Sequence, residues 1–366
     1  MKCFVVSHTS ALALLARRPD PRHGDTGVES VRLEDVAAPT DQEAIDVIDS
    51  LDLGIEFLDV LVFDRSRLRN TAHLKAHLWT RPLPPGSLVS IDYWSKEIVL
   101  YVCAPEFVYL QVAAQSDRLE TIYAGFSLTA DYRIDALAPA GVVNRGDIGC
   151  DGRLTSRERI AAYLIECDGL PGIRSATRLL KYVREGSRSP RESGLCMMLY
   201  LPTKYGGCAL GDATLNKSYS FADGRTRLGD AKRVERIPDI VLEARPEWTS
   251  IGEPSLAEPA ATRTVAVDYD SDAAHSGSEK MESDVSRRND MTMIEGVAHF
   301  TVTTSQANDC KSMKRLCDRI RRKLRLRKRP IMPSGMNEVD RFDAERAYES
   351  RRFELWDKFV RKQKNW

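Results

Sequence analysis

The segment 264–270 carries the residues whose types and spacing most directly suggest chemistry. It reads Thr-Val-Ala-Val-Asp-Tyr-Asp, and its alternating, β-branched pattern predicts a β-strand. The alternation places Asp268 and Asp270 on one face of that strand, and His275 follows shortly afterwards. Two carboxylates on one face at the end of an apolar strand need a cation or a mobile proton to offset their repulsion. We therefore expect a site for acid chemistry or cation binding at this end of the strand.

A second predicted strand, over 238–242, supplies another carboxylate. Asp239, Val241 and Glu243 would share one face of it. If this strand pairs with the strand at 264–270, Asp239 and Asp268 come together. The two strands therefore predict a cluster of carboxylates contributed by distant parts of the chain.

Glu192 lies on a predicted helix that begins after Ser189. The run Ser-Pro-Arg-Glu at 189–192 has the spacing of a capping box, with proline at the first helical position. Glu192, Leu195 and Leu199 follow i, i+3, i+7 spacing, which places the carboxylate on the apolar face of the helix. Two interpretations stay open: Glu192 closes the capping box, or it faces a site.

The order of the predicted elements indicates an α/β protein, α+β overall. The helix at Ser189 precedes several strands, a helix over 278–294 and a strand over 297–303, which predicts a mixed sheet flanked by helices. The N-terminal part predicts an α+β domain. Its expected elements are a short strand entering a helix within 1–18, strands at 58–64, 74–80, 88–92 and 98–103, and a helix from Pro105.

These patterns divide the 366 residues into four parts. They are an α+β domain of unknown role (1–150), a helical connector (151–186), a mixed-sheet domain (187–330) and a C-terminal helix (331–366). The N-terminal domain and the C-terminal helix are candidate surfaces for a protein partner.

Positive charge is concentrated late in the chain. The formal net charge is only +1, yet residues 311–329 contain eleven Lys or Arg and one acid, Asp318. An excess of this kind can neutralise phosphates, which favours DNA as a partner. The same run has apolar residues at Met313, Leu316, Ile320 and Leu324, so an amphipathic helix packed on the sheet is the alternative interpretation.

The eight cysteines are scattered without a Cys-x-x-Cys pair, which favours reduced thiols and a cytoplasmic protein over a disulfide scaffold or a zinc site. The apolar run near the N-terminus is too short to span a membrane, and its basic residues follow it, so neither a membrane segment nor a secretory signal is expected.

Taken together, these motifs resemble the PD-(D/E)XK nuclease superfamily, and more narrowly the very-short-patch-repair (Vsr)-like endonuclease domains of actinobacterial proteins. The residues that carry the resemblance are Ser-Pro-Arg-Glu-Ser at 189–193, Pro238-Asp239, Val-Asp-Tyr-Asp-Ser-Asp at 267–272, His275, Arg287-Arg288-Asn289 and the strand at 296–303. The resemblance spans residues 187 to about 310 and implies a restriction-endonuclease-like domain within 187–330. Upstream, Ser-His-Thr-Ser-Ala at 7–11 and Leu-Asp-Val-Leu-Val at 58–62 resemble the abortive-infection AbiEi-type antitoxin region.

The resemblance implies a role for each acidic residue. Glu192 matches the acid of the first core helix, Asp239 the aspartate of the proline-aspartate motif, and Asp268 the acid of the second half-motif. Together these three are expected to hold Mg²⁺ or Mn²⁺, whose preferred ligands are carboxylate oxygens. Asp270 stands where the superfamily has lysine, and His275 matches a histidine of the Vsr-like group that could take over proton transfer.

Six arginines are expected to contact nucleic acid: Arg287, Arg288, Arg321, Arg322, Arg325 and Arg327. Two functions stay open. One is metal-dependent hydrolysis of DNA phosphodiester bonds in defence, repair or on mobile DNA. The other is a non-catalytic DNA-binding or antitoxin-like regulator with a degenerate nuclease core, which the missing lysine favours.

Overall fold

The computed structural model describes residues 2–17, 33–91, 93, 97–135, 137–138, 141–145, 153–225, 231–244, 264–270, 290, 294, 296–326 and 335–363. The strands are β1 (Lys2–Val6), β2 (Leu58–Val62), β3 (Leu74–Leu78), β4 (Leu88–Ile91), β5 (Ile98–Cys103), β6 (Tyr132–Ile134), β7 (Val142–Asn144), β8 (Asp212–Leu215), β9 (Tyr219–Arg225), β10 (Ala231–Arg236), β11 (Ile240–Glu243), β12 (Thr264–Asp270) and β13 (Val297–Thr303).

The described residues also form ten α-helices. They are α1 (His8–Arg17), α2 (Asp41–Ser50), α3 (Pro105–Gln115), α4 (Arg118–Leu128), α5 (Arg157–Ile165), α6 (Ile173–Leu180), α7 (Pro190–Tyr200), α8 (Thr304–Ala307), α9 (Cys310–Lys323) and α10 (Glu338–Leu355), which continues into a π-helix (Trp356–Arg361). Helices and mixed sheets in this proportion confirm the predicted α/β class. The chain divides into two compact units, Met1–Glu185 and Gly186–Lys364.

The first unit is built on a five-stranded mixed sheet in the order β3-β2-β1-β5-β4. β1 runs parallel to β5 and antiparallel to β2, and β2 runs parallel to β3. Its central strands are apolar because both faces are covered, and Phe4, Val60 and Val102 are fully buried. The strands and the Pro105 helix expected from sequence are all confirmed, with ends that differ by a few residues.

Helices α5 and α6, which the sequence suggested as a connector, lie within the first unit. Both pack against α3, and the hydroxyl of Tyr109 on α3 donates to the backbone carbonyl of Ala176 on α6. Ile160 and Leu179 supply buried apolar contacts, so each of these amphipathic helices buries one face in this unit.

The second unit contains a four-stranded mixed sheet in the order β13-β12-β11-β8. β8, β11 and β12 pair antiparallel, and β13 runs parallel to β12. The predicted strands at 264–270 and 297–303 are confirmed, whereas the strand predicted at 238–242 begins at Ile240. Pro238 has no backbone N–H to donate to a ladder, which explains the later start. The crossover helix expected over 278–294 lies almost entirely outside the described residues.

The C-terminal helix docks on its own domain. The indole of Trp356 donates to the carbonyl of Ala307 at 2.8 Å, and Phe359 and Val360 are fully buried. Gly194 of α7 touches the backbone of Phe359 so closely that a Cβ at position 194 would lie 2.1 Å from that carbonyl oxygen. The end of the chain therefore packs against the helix that carries Glu192. In the described part of the chain, no helix combines the length and apolar character needed to cross a membrane.

Candidate metal and nucleic-acid site

Asp239 and Asp268 lie side by side where β11 begins and β12 nears its end. The backbone N–H of Asp239 donates to Oδ1 of Asp268 at 3.1 Å, and the backbone N–H of Tyr269 donates to Oδ2 of Asp239 at 2.7 Å. Each carboxylate is therefore held by the backbone of the other strand. The register that produces this arrangement is set by the apolar pairs Ile240–Val267 and Leu242–Val265, whose burial contributes roughly 1.5–3 kcal/mol per side chain. The expected meeting of the two acids is confirmed.

His299 of β13 completes this arrangement on the other side of Asp268. Its Nε2 donates to Oδ2 of Asp268 at 2.8 Å, and the two side chains are 9% and 10% exposed. The parallel register pairs His299 with Ala266, which puts the imidazole on the face that carries Asp268. Both oxygens of Asp268 thus accept hydrogen bonds that fix its orientation. Sequence reasoning had not assigned His299 a role, although the same alternation that selected Asp268 selects it once β12 and β13 are paired.

Glu192 approaches the site from α7. The hydroxyl of Ser189 caps the helix by accepting from the N–H of Glu192 at 3.1 Å, and such a cap contributes about 1 kcal/mol. The carboxylate of Glu192 accepts from the backbone N–H of Arg188 at 2.8 Å and from the amide of Asn216 at 3.3 Å. Ser189 thus caps the helix as expected, but Glu192 does not close the capping box, because its carboxylate accepts from the N–H of Arg188 rather than from that of Ser189.

Asn216 connects Glu192 to the aspartates. It follows β8 with a left-handed backbone (φ 49°), a conformation that asparagine tolerates better than most residues, and its N–H donates to the carbonyl of Asp239 at 3.0 Å. Its side-chain nitrogen also donates to the carbonyl of Gly186 at 2.7 Å. Its side-chain oxygen is buried and has no hydrogen-bond partner among the described residues. A buried amide oxygen without a donor is an available ligand for a hard cation.

The described residues do not complete the three-carboxylate site expected from sequence. Nowhere in the described ranges do three His, Cys, Asp or Glu side chains form a group that could hold a metal ion. Glu192 does not lie beside Asp239. Its carboxylate accepts from Arg188 and Asn216, and the backbone N–H of Asn216 in turn donates to the carbonyl of Asp239. Asp270 lies two residues beyond Asp268, half-buried and in register with Thr303. His275 lies outside the described residues.

Burial raises the pKa of the Glu192 carboxyl above its ordinary value near 4.5, and the hydrogen bonds from Arg188, Asn216 and Ser189 offset only part of that effect. The folded protein therefore binds this proton more tightly than the unfolded chain does. Between the ordinary pKa and the folded pKa, stability falls as pH rises, because the buried carboxylate must ionise.

Replacing Glu192 with Gln removes this ionisation and is expected to change the pH dependence of stability. The free energy of unfolding of Glu192→Gln relative to the natural protein should increase as pH rises from 4.5 toward neutral, as measured by urea denaturation. Glu345→Gln, on the exposed side of α10, is the control and should show no such trend. A pH-independent difference for Glu192→Gln would contradict the proposed burial cost.

The basic run forms α9 and its C-terminal turn, with two distinct kinds of arginine. The helix packs through Met313, Cys317, Ile320 and Leu324, which are buried. Arg321, expected to contact nucleic acid, is only 7% exposed and donates to the carbonyl of Cys208 at 2.8 Å and to Asp318 at 3.0 Å. Its guanidinium is committed to holding α9 in place, so the structure places it in the interior rather than at a free surface.

Other cations of α9 face outward. Arg322 and Arg325 are exposed, as expected for nucleic-acid contacts, whereas Arg287, Arg288 and Arg327 lie outside the described residues. A surface depression of about 530 Å³ is lined by Arg315, Asp318, Arg319, Arg321, Arg322 and Leu326. Since arginine forks match phosphate geometry, this depression is a candidate contact for a phosphate backbone. Sequence reasoning had counted Arg315 and Arg319 in the basic run without assigning them to the site.

No protein-family model, curated protein or solved structure matches this chain.

Proposed function

We propose that the unit Gly186–Lys364 is a divalent-metal-dependent endonuclease that hydrolyses DNA phosphodiester bonds. The observation that carries the proposal is the meeting of Asp239 and Asp268, from adjacent antiparallel strands, with each carboxylate held by the backbone of the other strand. The order of α7, β8, β11, β12 and β13 agrees with the mixed sheet and flanking helix that the nuclease resemblance implies.

The donor atoms fit Mg²⁺ or Mn²⁺. Mg²⁺ is commonly bound by one or two carboxylates together with waters and substrate phosphates, so a dedicated three-carboxylate cage is not required. Asp239 and Asp268 would supply the carboxylates, and the buried oxygen of Asn216, which has no partner among the described residues, supports a further oxygen ligand. When bound, such an ion polarises the phosphate and lowers the pKa of a bound water.

The protein groups around the aspartates position them. His299 orients Asp268, and its removal would leave a buried carboxylate with one fewer donor. Glu192 orients Asn216 from α7 and thereby links the helix to the start of β11. Asp270 cannot replace the lysine of the superfamily as a donor, because a carboxylate only accepts hydrogen bonds when ionised. Removal of a proton from the attacking water therefore falls to another group, and His275 remains the candidate that the resemblance supplies.

The exposed arginines of α9 supply the substrate-binding part of the proposal. Arg315, Arg319 and Arg322 line one depression, and the neighbouring Asp318 is paired with the buried Arg321. Contacts of this kind fix nucleic acid through its phosphates without reading sequence. We expect the affinity to depend strongly on salt.

The second candidate is a non-catalytic DNA-binding regulator. Two observations favour it. Asp270 stands in place of the superfamily's lysine, and Asp268 is already hydrogen-bonded to His299.

A cleavage assay distinguishes the endonuclease from the regulator. Supercoiled plasmid and mismatched duplexes are incubated with the full chain in Mg²⁺, in Mn²⁺, in Ca²⁺ and in EDTA. The endonuclease proposal expects nicking or linearisation with Mg²⁺ or Mn²⁺ and none in EDTA. Intact DNA under every condition, with DNA binding retained, would favour the regulator.

A further inference from the structure

A buried polar cluster in the first unit is independent of the nuclease site. It gathers where β1 ends and α1 begins, beside β2, β3 and α3. Its members are Ser7, His8, Thr9, Ser10, Asp59, His77, Gln111 and Gln115. We call this set the His77 cluster. Five of its members fall in the short runs at 7–11 and 58–62 that sequence analysis singled out.

Asp59 is the centre of the His77 cluster and is only 3% exposed. One oxygen accepts from the hydroxyl of Thr9 at 2.6 Å and from the backbone and hydroxyl of Ser10 at 3.3 and 3.2 Å. The other oxygen accepts from Nε2 of His77 at 2.8 Å. Burial opposes ionisation of Asp59, but the hydrogen bonds from His77 and Thr9 outweigh it and hold the pKa of this carboxyl below its usual range. Asp59 is thus a fixed carboxylate.

This carboxylate sets the tautomer of His77. An ionised carboxylate can only accept hydrogen bonds, so Nε2 of His77 must carry the hydrogen. A neutral ring then keeps its lone pair on Nδ1. Nδ1 lies 3.2 Å from the side-chain nitrogen of Gln115, which donates to it. The imidazole is 20% exposed and Gln115 is an exposed residue at the end of α3. The basic nitrogen of an oriented imidazole therefore accepts a hydrogen bond from an exposed side chain.

His8 stacks on His77 in a strained conformation. The ring centroids are 3.8 Å apart with an interplanar angle of 29°, and the backbone of His8 is left-handed (φ 49°). A non-glycine residue in that region costs about 1–2 kcal/mol. Its N–H donates to Gln111 at 3.0 Å, and its Nδ1 lies 2.9 Å from the hydroxyl of Ser7. Burial, aided by His77, lowers the pKa of His8 to about 3, so this ring is neutral at physiological pH.

A purely structural role needs fewer groups than are present. Thr9, Ser10 and Asp59 would suffice to cap α1 and join it to β2. The strained backbone of His8, the stacked neutral ring and the oriented imidazole of His77 add nothing to that cap. Strain that the surrounding fold imposes on a polar residue is typical of functional sites.

The charges of the cluster indicate a neutral substrate. Among the described residues, no Lys or Arg donates a hydrogen bond to any member of the His77 cluster, and Asp59 would repel a phosphate. Lys75 is in register with Asp59, but its Nζ lies over the ring of Phe57, 3.2 Å from the centroid. An acyl carbonyl carries no net charge, so the Asp59 carboxylate would not repel it and no cation is needed to bind it.

We propose that the His77 cluster is a second active site, in which His77 is a general base for the hydrolysis of a small neutral ester and Asp59 positions it. Nδ1 of His77 takes a proton from water as the water oxygen bonds to the ester carbonyl carbon. The bond between that carbon and the alcohol oxygen then breaks, and the imidazolium returns the proton to the leaving alcohol. The products are a carboxylic acid and an alcohol, and the imidazole is regenerated without any redox change.

p-Nitrophenyl acetate is a suitable probe for the full chain. His77→Gln is expected to lower the rate of nitrophenol release by a factor on the order of 10² or more, the usual range for loss of a general base. His73→Gln is the matched control, because His73 also pairs with an aspartate, Asp41 at 3.0 Å, yet its side chain is 44% exposed. This control should retain the rate of the natural protein. Equal rates for the natural protein and His77→Gln would overturn the proposal.

Two further measurements separate positioning from folding. In Asp59→Asn, kcat for nitrophenol release should fall while KM stays close to that of the natural protein, because the imidazole loses the carboxylate that orients it; an unchanged kcat would contradict the positioning role. Long-range ¹H–¹⁵N correlation of the natural protein reads the tautomer directly, even if a variant fails to fold. A hydrogen on Nε2 of His77 supports the proposal, and a hydrogen on Nδ1 excludes that nitrogen as the base.

Discussion

Asp268→Asn is expected to lower Mg²⁺-dependent DNA cleavage by a factor on the order of 10² or more, while DNA binding stays nearly unchanged. The variant keeps the size of the side chain and an oxygen that can still accept from the N–H of Asp239. It loses the negative charge that binds the cation. Cleavage is measured as the rate of plasmid nicking, and binding as the affinity for a labelled duplex in EDTA.

The control for Asp268→Asn is Asp343→Asn, which removes one exposed carboxylate from α10. It should cleave at the rate of the natural protein, since it lies on an outward face of a helix remote from β12 in sequence. Undiminished cleavage by Asp268→Asn, with correct folding shown by circular dichroism, would remove Asp268 from the proposed site.

The combined variant Arg315→Gln, Arg319→Gln and Arg322→Gln is expected to weaken DNA binding and flatten its salt dependence. Each lost phosphate contact should reduce the slope of log K against log salt by about 0.9, so the full loss is about 2 to 3. The effect should be similar for unrelated sequences, because phosphate contacts carry no base information. Affinity is measured across a series of salt concentrations.

A matched control removes the same charge elsewhere. Arg341, Arg346 and Arg351 are exposed on α10, and their replacement by Gln changes the net charge equally. This control should leave the slope close to that of the natural protein. If the two variants show the same slope, the depression on α9 is an ordinary surface.

Arg321→Gln should behave differently from its neighbours. Its guanidinium holds Cys208 and Asp318 from a buried position, so its loss is expected to lower the free energy of unfolding by about 2 kcal/mol. Chemical denaturation measures this change. If the variant has unchanged stability and weakened DNA binding, Arg321 contacts nucleic acid, as the sequence predicted.

Strand periodicity carried most of the correct sequence prediction. The apolar alternation of 264–270 located β12, and the side-chain period of two assigned Asp268 to the face that it shares with Ala266. The same reasoning brought Asp239 to its partner. What periodicity could not supply was the parallel pairing of β13 with β12, since that depends on a crossover between strands distant in sequence. Without knowledge of that pairing, nothing in the sequence distinguishes His299 from any other polar residue in a strand.

The burial and hydrogen-bond partners of individual side chains could not be predicted from the sequence either. Arg321 and Arg322 are adjacent and identical, and only the buried stripe of α9 determines that one faces the interior and the other solvent. Asn216 follows β8, a short strand that lacks a strong pattern, so nothing in the sequence marked its amide as the link between Glu192 and Asp239. The His77 cluster combines residues from two strands, two helices and the residue between β1 and α1, which no local spacing reveals.

The most direct test of the endonuclease account is to locate the cation. Crystals of the full chain grown with Mn²⁺ and a DNA duplex would be measured at the manganese absorption edge. The account predicts an anomalous peak at about 2.0–2.2 Å from carboxylate oxygens of both Asp239 and Asp268, and loss of that peak in Asp268→Asn. A natural protein with DNA bound and no anomalous peak between these two aspartates would contradict the account.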